Sequence, residues 1–222
     1  MLVIYDCDGV LVDSEPLACR VDAEVLTELG FATSADEVMQ RHVGKSTKDM
    51  IAAIEQQHGR ALPADIGERL HGAILQRFQT DLRAIDGVRH AILGIPGPRC
   101  VASSSTPERI AFSLSMTGLD DLFDRRFSAV EVACGKPAPD LFLHAAARCG
   151  TLPRDCIVIE DSLPGVGAGR NAGMRVIGFA GGGHCGPGHA ERLQAAGADA
   201  VISRMADLPV LLRTLSASGV LP

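Results

Sequence analysis

The sequence has no tryptophan and a single tyrosine, and aromatic residues fill only 4% of its 222 positions. That is too few flat rings for the stacking platforms that hold single-stranded nucleic acids. Basic residues are outnumbered, 21 Lys and Arg against 27 Asp and Glu, and the net charge of −6 argues against a broad basic surface for a phosphodiester backbone. Long hydrophobic runs are missing as well: none approaches the roughly 20 apolar residues of a membrane span. No basic segment precedes the first apolar stretch, so no secretory signal is expected. None of the seven cysteines (Cys7, Cys19, Cys100, Cys134, Cys149, Cys156 and Cys185) forms a C-x-x-C pair. The expectation is therefore reduced, mostly buried thiols in a cytoplasmic protein without nucleic-acid or membrane partners.

What is present is a hydrophobic fraction of 46%, enough for a sizeable core. Leu2 to Tyr5 are continuously apolar and β-prone, and Asp6, Asp8 and Gly9 follow at once. Such a run reads as a buried parallel strand. Further short strands are expected at Arg99–Ala102, Phe127–Ala129, Cys156–Ile159, Val176–Phe179 and Ala200–Ile202, each separated from the next by helical spacing. Strands alternating with helices of this length give a parallel sheet covered on both faces. Residues 14–83 carry four helical segments and no convincing strand. The expected fold is α/β: a Rossmann-like, doubly wound core formed by residues 1–13 and 84–222, with an all-helical cap inserted as residues 14–83.

Polar residues close several of these strands. Asp6 and Asp8 follow the first, Ser103 and Ser104 the second, Lys136 lies in the loop after the third, and Glu160 and Asp161 end the fourth. Parallel strands set their carboxyl ends on one rim, where α/β sheets bind ligands. Asp6, Glu160 and Asp161 together form an oxygen cage suited to Mg²⁺. Lys136 supplies a point charge for a phosphate. With a cation neutralising a phosphoryl group, one carboxylate can attack phosphorus and another can move the protons. Taken singly, each element also fits a bland role: an acidic turn capping a helix, a serine capping another.

The four stretches Asp6-Cys7-Asp8-Gly9-Val10, Val101-Ala102-Ser103-Ser104, Gly135-Lys136-Pro137-Ala138-Pro139-Asp140 and Ile159-Glu160-Asp161-Ser162 resemble, in order, the four motifs of the haloacid dehalogenase superfamily. The resemblance covers essentially the whole chain and is to the helical-cap branch, which contains small-molecule phosphatases and β-phosphoglucomutases. It implies Asp6 as nucleophile, Asp8 as general acid/base with its carbonyl on the metal, and Ser103, Ser104 and Lys136 at the phosphoryl group. Glu160 and Asp161 would complete a Mg²⁺ site.

Departures narrow the branch. Aspartate at position 8 speaks against dehalogenases and phosphonoacetaldehyde hydrolases. The similar mutases place a His where this chain has Ala18 and an Arg where it has Thr47, and both losses favour hydrolysis. Val10 leans the other way, being common among the mutases. Ala84-Ile85-Asp86-Gly87 and Gly44-Lys45 are similar to stretches of hexose-phosphate or 6-phosphogluconate phosphatases. The expectation is a Mg²⁺-dependent phosphatase acting on a small phosphorylated sugar or sugar acid, with a sugar phosphomutase as the alternative and a monomer as the assembly. Lys45 is a candidate cap residue for substrate selection. His184, Cys185 and His189 crowd a glycine-rich stretch but offer a soft metal only three donors, so that stretch is expected to be a loop near the site or a contact surface.

Overall fold

The computed structural model describes residues 1–42 and 47–217. In chain order the elements are β1 (Leu2–Tyr5), α1 (Glu15–Glu28), α2 (Ala35–His42), α3 (Thr47–His58), α4 (Ile66–Asp81), α5 (Val88–Leu93), β2 (Arg99–Ser103) and α6 (Pro107–Met116). Then come β3 (Arg126–Ser128), α7 (Asp140–Arg148), β4 (Cys156–Glu160), α8 (Leu163–Asn171), β5 (Arg175–Phe179), α9 (His189–Ala195), β6 (Ala200–Ile202) and α10 (Leu208–Ala217). None of these helices is long and apolar enough to cross a membrane.

All six strands run parallel, in the order β3-β2-β1-β4-β5-β6. The order reverses direction between β1 and β4, which makes that pair the topological switch point of the sheet. In register, Tyr5 stands beside Val101 of β2 and Ile159 of β4. The residues after Tyr5 and Ile159 are therefore neighbours at one rim. β1 is buried along its whole length, which explains why it carries no polar alternation. Leu2 and Ile4 pack with Ala102, Val158 and Val176 against Phe142 of α7, Val166 of α8 and Leu193 of α9. Val3 and Tyr5 face the other way by the two-residue period of a strand. There the Tyr5 ring meets Phe123 edge-on at 5.7 Å between centroids.

The chain divides into two units, Met1–Asp13 with Arg83–Pro222, and Ser14–Leu82. The sheet unit closes on itself where the chain leaves and returns: the Asp13 N–H donates to the Arg83 carbonyl at 2.9 Å, and Val12 bridges Ala84. These bonds place Arg83 with the sheet, one residue earlier than the sequence suggests. The helical unit has its own core, in which Leu26, Phe31, Val38, Met50, Ile54, Ile66 and Leu70 meet. Arg60 closes it by stacking 3.9 Å from the Phe31 ring centroid and donating to the Gly30 carbonyl at 2.6 Å.

Asp140, a residue type favoured at helix caps, is instead the first helical residue of α7, with Pro139 at the cap position and no side-chain cap bond. α8 is unusual in holding three glycines, residues that weaken helices by about 1 kcal/mol each. Packing explains Gly169: a methyl there would lie 2.6 Å from Val176 Cγ2 and 3.5 Å from Val158 Cγ2. Gly169→Ala is therefore expected to destabilise the protein by about 1–3 kcal/mol in urea unfolding, overpacking outweighing the better helix propensity. A stabilised variant would contradict the close seating of α8 on β4 and β5.

Candidate active site

Asp6 leaves β1 with its N–H still on the ladder, donating to the Ile159 carbonyl at 3.0 Å. The chain then turns at once: Gly9 has φ of +79°, and its N–H donates to the Val12 carbonyl at 2.8 Å. A side chain at Gly9 would be strained and would meet Asp161 Oδ2 at 2.1 Å. The turn after β1 is thus pressed onto the residue that follows β4.

Three acidic residues converge there. Asp6, Glu160 and Asp161 each offer a carboxylate oxygen within 4.8 Å of the others, and all three are buried. Lys136 reaches in from the loop after β3, placing Nζ 2.6 Å from Glu160 Oε1 and 3.0 Å from Asp6 Oδ1. The first contact is a hydrogen bond; the second is an ion pair without hydrogen-bond geometry, so Asp6 Oδ1 is buried with no hydrogen-bond partner. Glu160 Oε2 accepts from both the N–H and the hydroxyl of Ser162, at 2.8 and 2.9 Å, and Ser162 in turn caps α8 by accepting from the Gly165 N–H. Both Glu160 oxygens are therefore in use. Asp161 Oδ2 pairs with His184 Nε2 at 2.9 Å, while Asp161 Oδ1 is buried without a hydrogen bond.

The electrostatics follow from burial. Asp6 is held well above the usual carboxylate range, by desolvation first; Lys136 opposes the shift, and Glu160, Asp161 and Asp8 add to it. Asp161 is raised as well, again by desolvation, with His184 pulling it down. Burial works against a charged Lys136, yet Asp6 and Glu160 outweigh it and raise its pKa. His184 is likewise penalised by burial, but its hydrogen bonds to Asp161 and Cys185 push it up to about 10.

Asp8 sits beside this cluster with a different set of partners. Its Oδ2 accepts from Ser105 Oγ at 2.6 Å and its Oδ1 from Arg109 Nη2 at 3.2 Å. Ser105 is itself fixed, its carbonyl accepting from Ser128 Oγ at 2.6 Å and its N–H donating to Ser103 Oγ at 3.1 Å.

The structure thus gathers Asp6, Asp8, Lys136, Glu160 and Asp161 at one rim. Ser103 is buried at the end of β2, four residues ahead of α6 rather than at its start, and Ser104 next to it is exposed. Lys45 lies outside the described residues. Ser105 and His184 join the site through Asp8 and Asp161, and Arg109 joins it without having been singled out. Nothing local marks Arg109, a charged residue in the first turn of a helix. His184 did carry a signal, a histidine in a glycine-rich stretch following a strand. His184, Cys185 and His189 do bring their donor atoms within 4.8 Å of one another, but both imidazoles are turned onto Asp161.

The sequence pattern of the haloacid dehalogenase-like hydrolases matches residues 3–179. The chain belongs to that family. It is 32% identical over 179 residues to the 6-phosphogluconate phosphatase of Escherichia coli (strain K12), covering 80% of this chain and 81% of that one. The hexitol phosphatase B of the same organism is 30% identical over 183 residues, with 80% and 82% covered. A haloacid dehalogenase-like protein of Agrobacterium tumefaciens superposes with a TM-score of 0.88 at 40% identity, covering 97% of this chain and 98% of that one. The family match over residues 3–179 includes Asp6, Asp8, Lys136, Glu160 and Asp161.

The single ammonium among these carboxylates predicts a large effect. Lys136→Met leaves the buried acids unpaired and is expected to destabilise the protein by about 3–5 kcal/mol at neutral pH. The loss should shrink as pH falls, because protonation removes the unpaired charge. Urea unfolding at several pH values measures it, and a variant as stable as wild type across that range would contradict the pairing.

Proposed function

We propose that the protein is a Mg²⁺-dependent phosphatase that hydrolyses a small phosphorylated sugar or sugar acid through an aspartyl-phosphate on Asp6. The observation that carries this reading is the convergence of three buried carboxylates, Asp6, Glu160 and Asp161, within 4.8 Å of one another around the one ammonium of Lys136, with Asp161 Oδ1 left without a hydrogen bond. Burying three like charges around a single opposite one is costly unless something completes the balance. The available donors are all oxygen, the set that Mg²⁺ prefers over softer ligands such as imidazole or thiolate. Asp6 and Asp161 would hold the ion, with the Asp8 carbonyl as the family resemblance implies. Glu160, whose oxygens already serve Lys136 and Ser162, is better suited to anchoring that lysine than to direct ligation. When bound, Mg²⁺ offsets charge on the phosphoryl oxygens and polarises phosphorus.

The chain's own residues account for the rest. Lys136 and Ser103 bind phosphoryl oxygens, with Ser104 contributing its N–H. The Asp6 carboxylate attacks phosphorus, the ester P–O bond breaks, and Asp8 delivers a proton to the departing oxygen. Asp8 then takes a proton from water, whose oxygen attacks phosphorus and releases inorganic phosphate, restoring Asp6. Ser105 and Arg109 hold Asp8 in one orientation through hydrogen bonds to its two oxygens. The likeness to 6-phosphogluconate and hexitol phosphatases supports a polyhydroxy phosphate as substrate. Ala18 and Thr47, standing where the similar mutases carry His and Arg, support water as acceptor over a sugar hydroxyl.

Two outcomes are expected. Asp6→Asn should abolish phosphate release from p-nitrophenyl phosphate, and Asp8→Asn should slow it by about 10²–10⁴-fold. Near-wild-type rates in either would remove that residue from its role. With β-glucose 1-phosphate and a trace of the 1,6-bisphosphate, free phosphate should accumulate without glucose 6-phosphate. Rapid isomerisation with little phosphate would establish the mutase instead.

A further inference from the structure

The loop from β5 to α9 returns to the rim although none of its residues belongs to the four motifs. Its course is fixed by bonds from its own N–H groups: Ala180 N–H to the Ile202 carbonyl at 2.8 Å, Gly183 N–H to the Asp13 side-chain Oδ1 at 2.8 Å, and Cys185 N–H to the Gly182 carbonyl at 2.9 Å. The loop then presents two histidines, ring centroids 5.7 Å apart and nearly perpendicular, to a single residue. His184 Nε2 lies 2.9 Å from Asp161 Oδ2, both side chains being 5% exposed. His189 Nε2 lies 2.6 Å from the Asp161 backbone carbonyl. The tautomer of His189 follows from its other nitrogen: Arg192 Nη2 stands 3.2 Å from Nδ1, and a guanidinium only donates. Nδ1 therefore accepts, and Nε2–H donates to the Asp161 carbonyl.

We propose that His184 is a positioning residue for the cation site, holding Asp161 through Oδ2 so that Oδ1 alone is directed at the ion, with His189 steadying the same residue at its backbone. This deepens the reading above and rests on Asp161 being a ligand. The physical reason is orientation. A carboxylate on a short, two-torsion side chain samples several rotamers, and a cation held by few protein oxygens binds well only if they are already aimed. Outer partners that aim ligating groups are worth about 10–100-fold in metal affinity. The site also leaves His184 little freedom to do anything else: a methyl at Gly9 would meet its Cε1 at 2.9 Å, so the ring is wedged between the turn after β1 and Asp161.

The test is Mg²⁺ binding measured by isothermal titration calorimetry on the full chain, with melting temperature in chelator as a control. The variants are Asp161→Asn, His184→Ala and His184→Gln, the last chosen because its amide nitrogen reaches about as far as Nε2. The expected pattern is near-complete loss of binding in Asp161→Asn, affinity about 10–100-fold weaker in His184→Ala, and recovery to within a few-fold of wild type in His184→Gln. Asp161→Asn binding like wild type would overturn the metal reading, and the inference with it. Weak binding in Asp161→Asn together with wild-type affinity in His184→Ala would overturn the inference alone. So would a His184→Gln variant as weak as His184→Ala, since packing and not the hydrogen bond would then be responsible. Should His184→Ala not fold, His184→Asn carries the same comparison, its amide falling short of Oδ2.

Discussion

One lysine stands among three buried carboxylates, and the rim is arranged around that imbalance. Lys136 pairs with Glu160 and Asp6, which leaves Asp161 to find a cationic or hydrogen-bonding partner elsewhere, and it finds His184. Burying carboxylates without compensation would be prohibitive. Every neighbouring element therefore contributes something: the Ser162 cap on Glu160, the Gly9 turn that makes room for Asp161, and the β5–α9 loop with its two histidines. What compensation the protein groups do not supply, a divalent cation can. The proposed chemistry and the proposed metal are thus answers to the same electrostatic problem.

Topology makes the cluster possible without long-range design in the sequence. Six parallel strands end on one rim, and the reversal of order between β1 and β4 sets Asp6 beside Glu160, with Asp161 the next residue along. β2 delivers Ser103 and, two residues on, Ser105; the chain after β3 delivers Lys136. The rim thus separates two chemical settings only two residues apart, at Asp6 and Asp8. Asp6 is in the dry, charge-crowded part. Asp8 lies against two hydrogen-bond donors, Ser105 and Arg109. In the proposed reaction this difference divides the work between an attacking carboxylate and a proton-transferring one.

Much of this was legible in the residues, for identifiable reasons. β1 and β4 are buried on both faces, so they announce themselves as unbroken apolar runs, and the acids that end them stand out by contrast. The four helical segments expected within residues 14–83 appear as α1 to α4. What stayed hidden depends on tertiary contact. Arg109 looks like any solvated helix residue until α6 is seated on the sheet and its guanidinium reaches Asp8, a hundred residues back in the chain. His184 looked like one of three soft-metal donors; the structure turns its nitrogen to Asp161 instead. Asp140 had the composition of a helix cap, but Pro139 before it takes that position. The helical unit offered the least. Its apolar spacing predicts four helices, yet side chains such as Lys45, on which substrate choice would turn, are not fixed by periodicity.

In the proposed reaction a phosphoryl group becomes bonded to the Asp6 carboxylate during turnover. Borohydride reduces an acyl phosphate to the alcohol, converting aspartyl-phosphate to homoserine, whereas a free aspartate is untouched. The enzyme should be quenched with borohydride during steady-state hydrolysis in Mg²⁺ and its N-terminal peptide sequenced by mass spectrometry. Homoserine is expected at position 6, dependent on both substrate and Mg²⁺. An unmodified Asp6 in enzyme that is turning over, or homoserine at another aspartate, would contradict it.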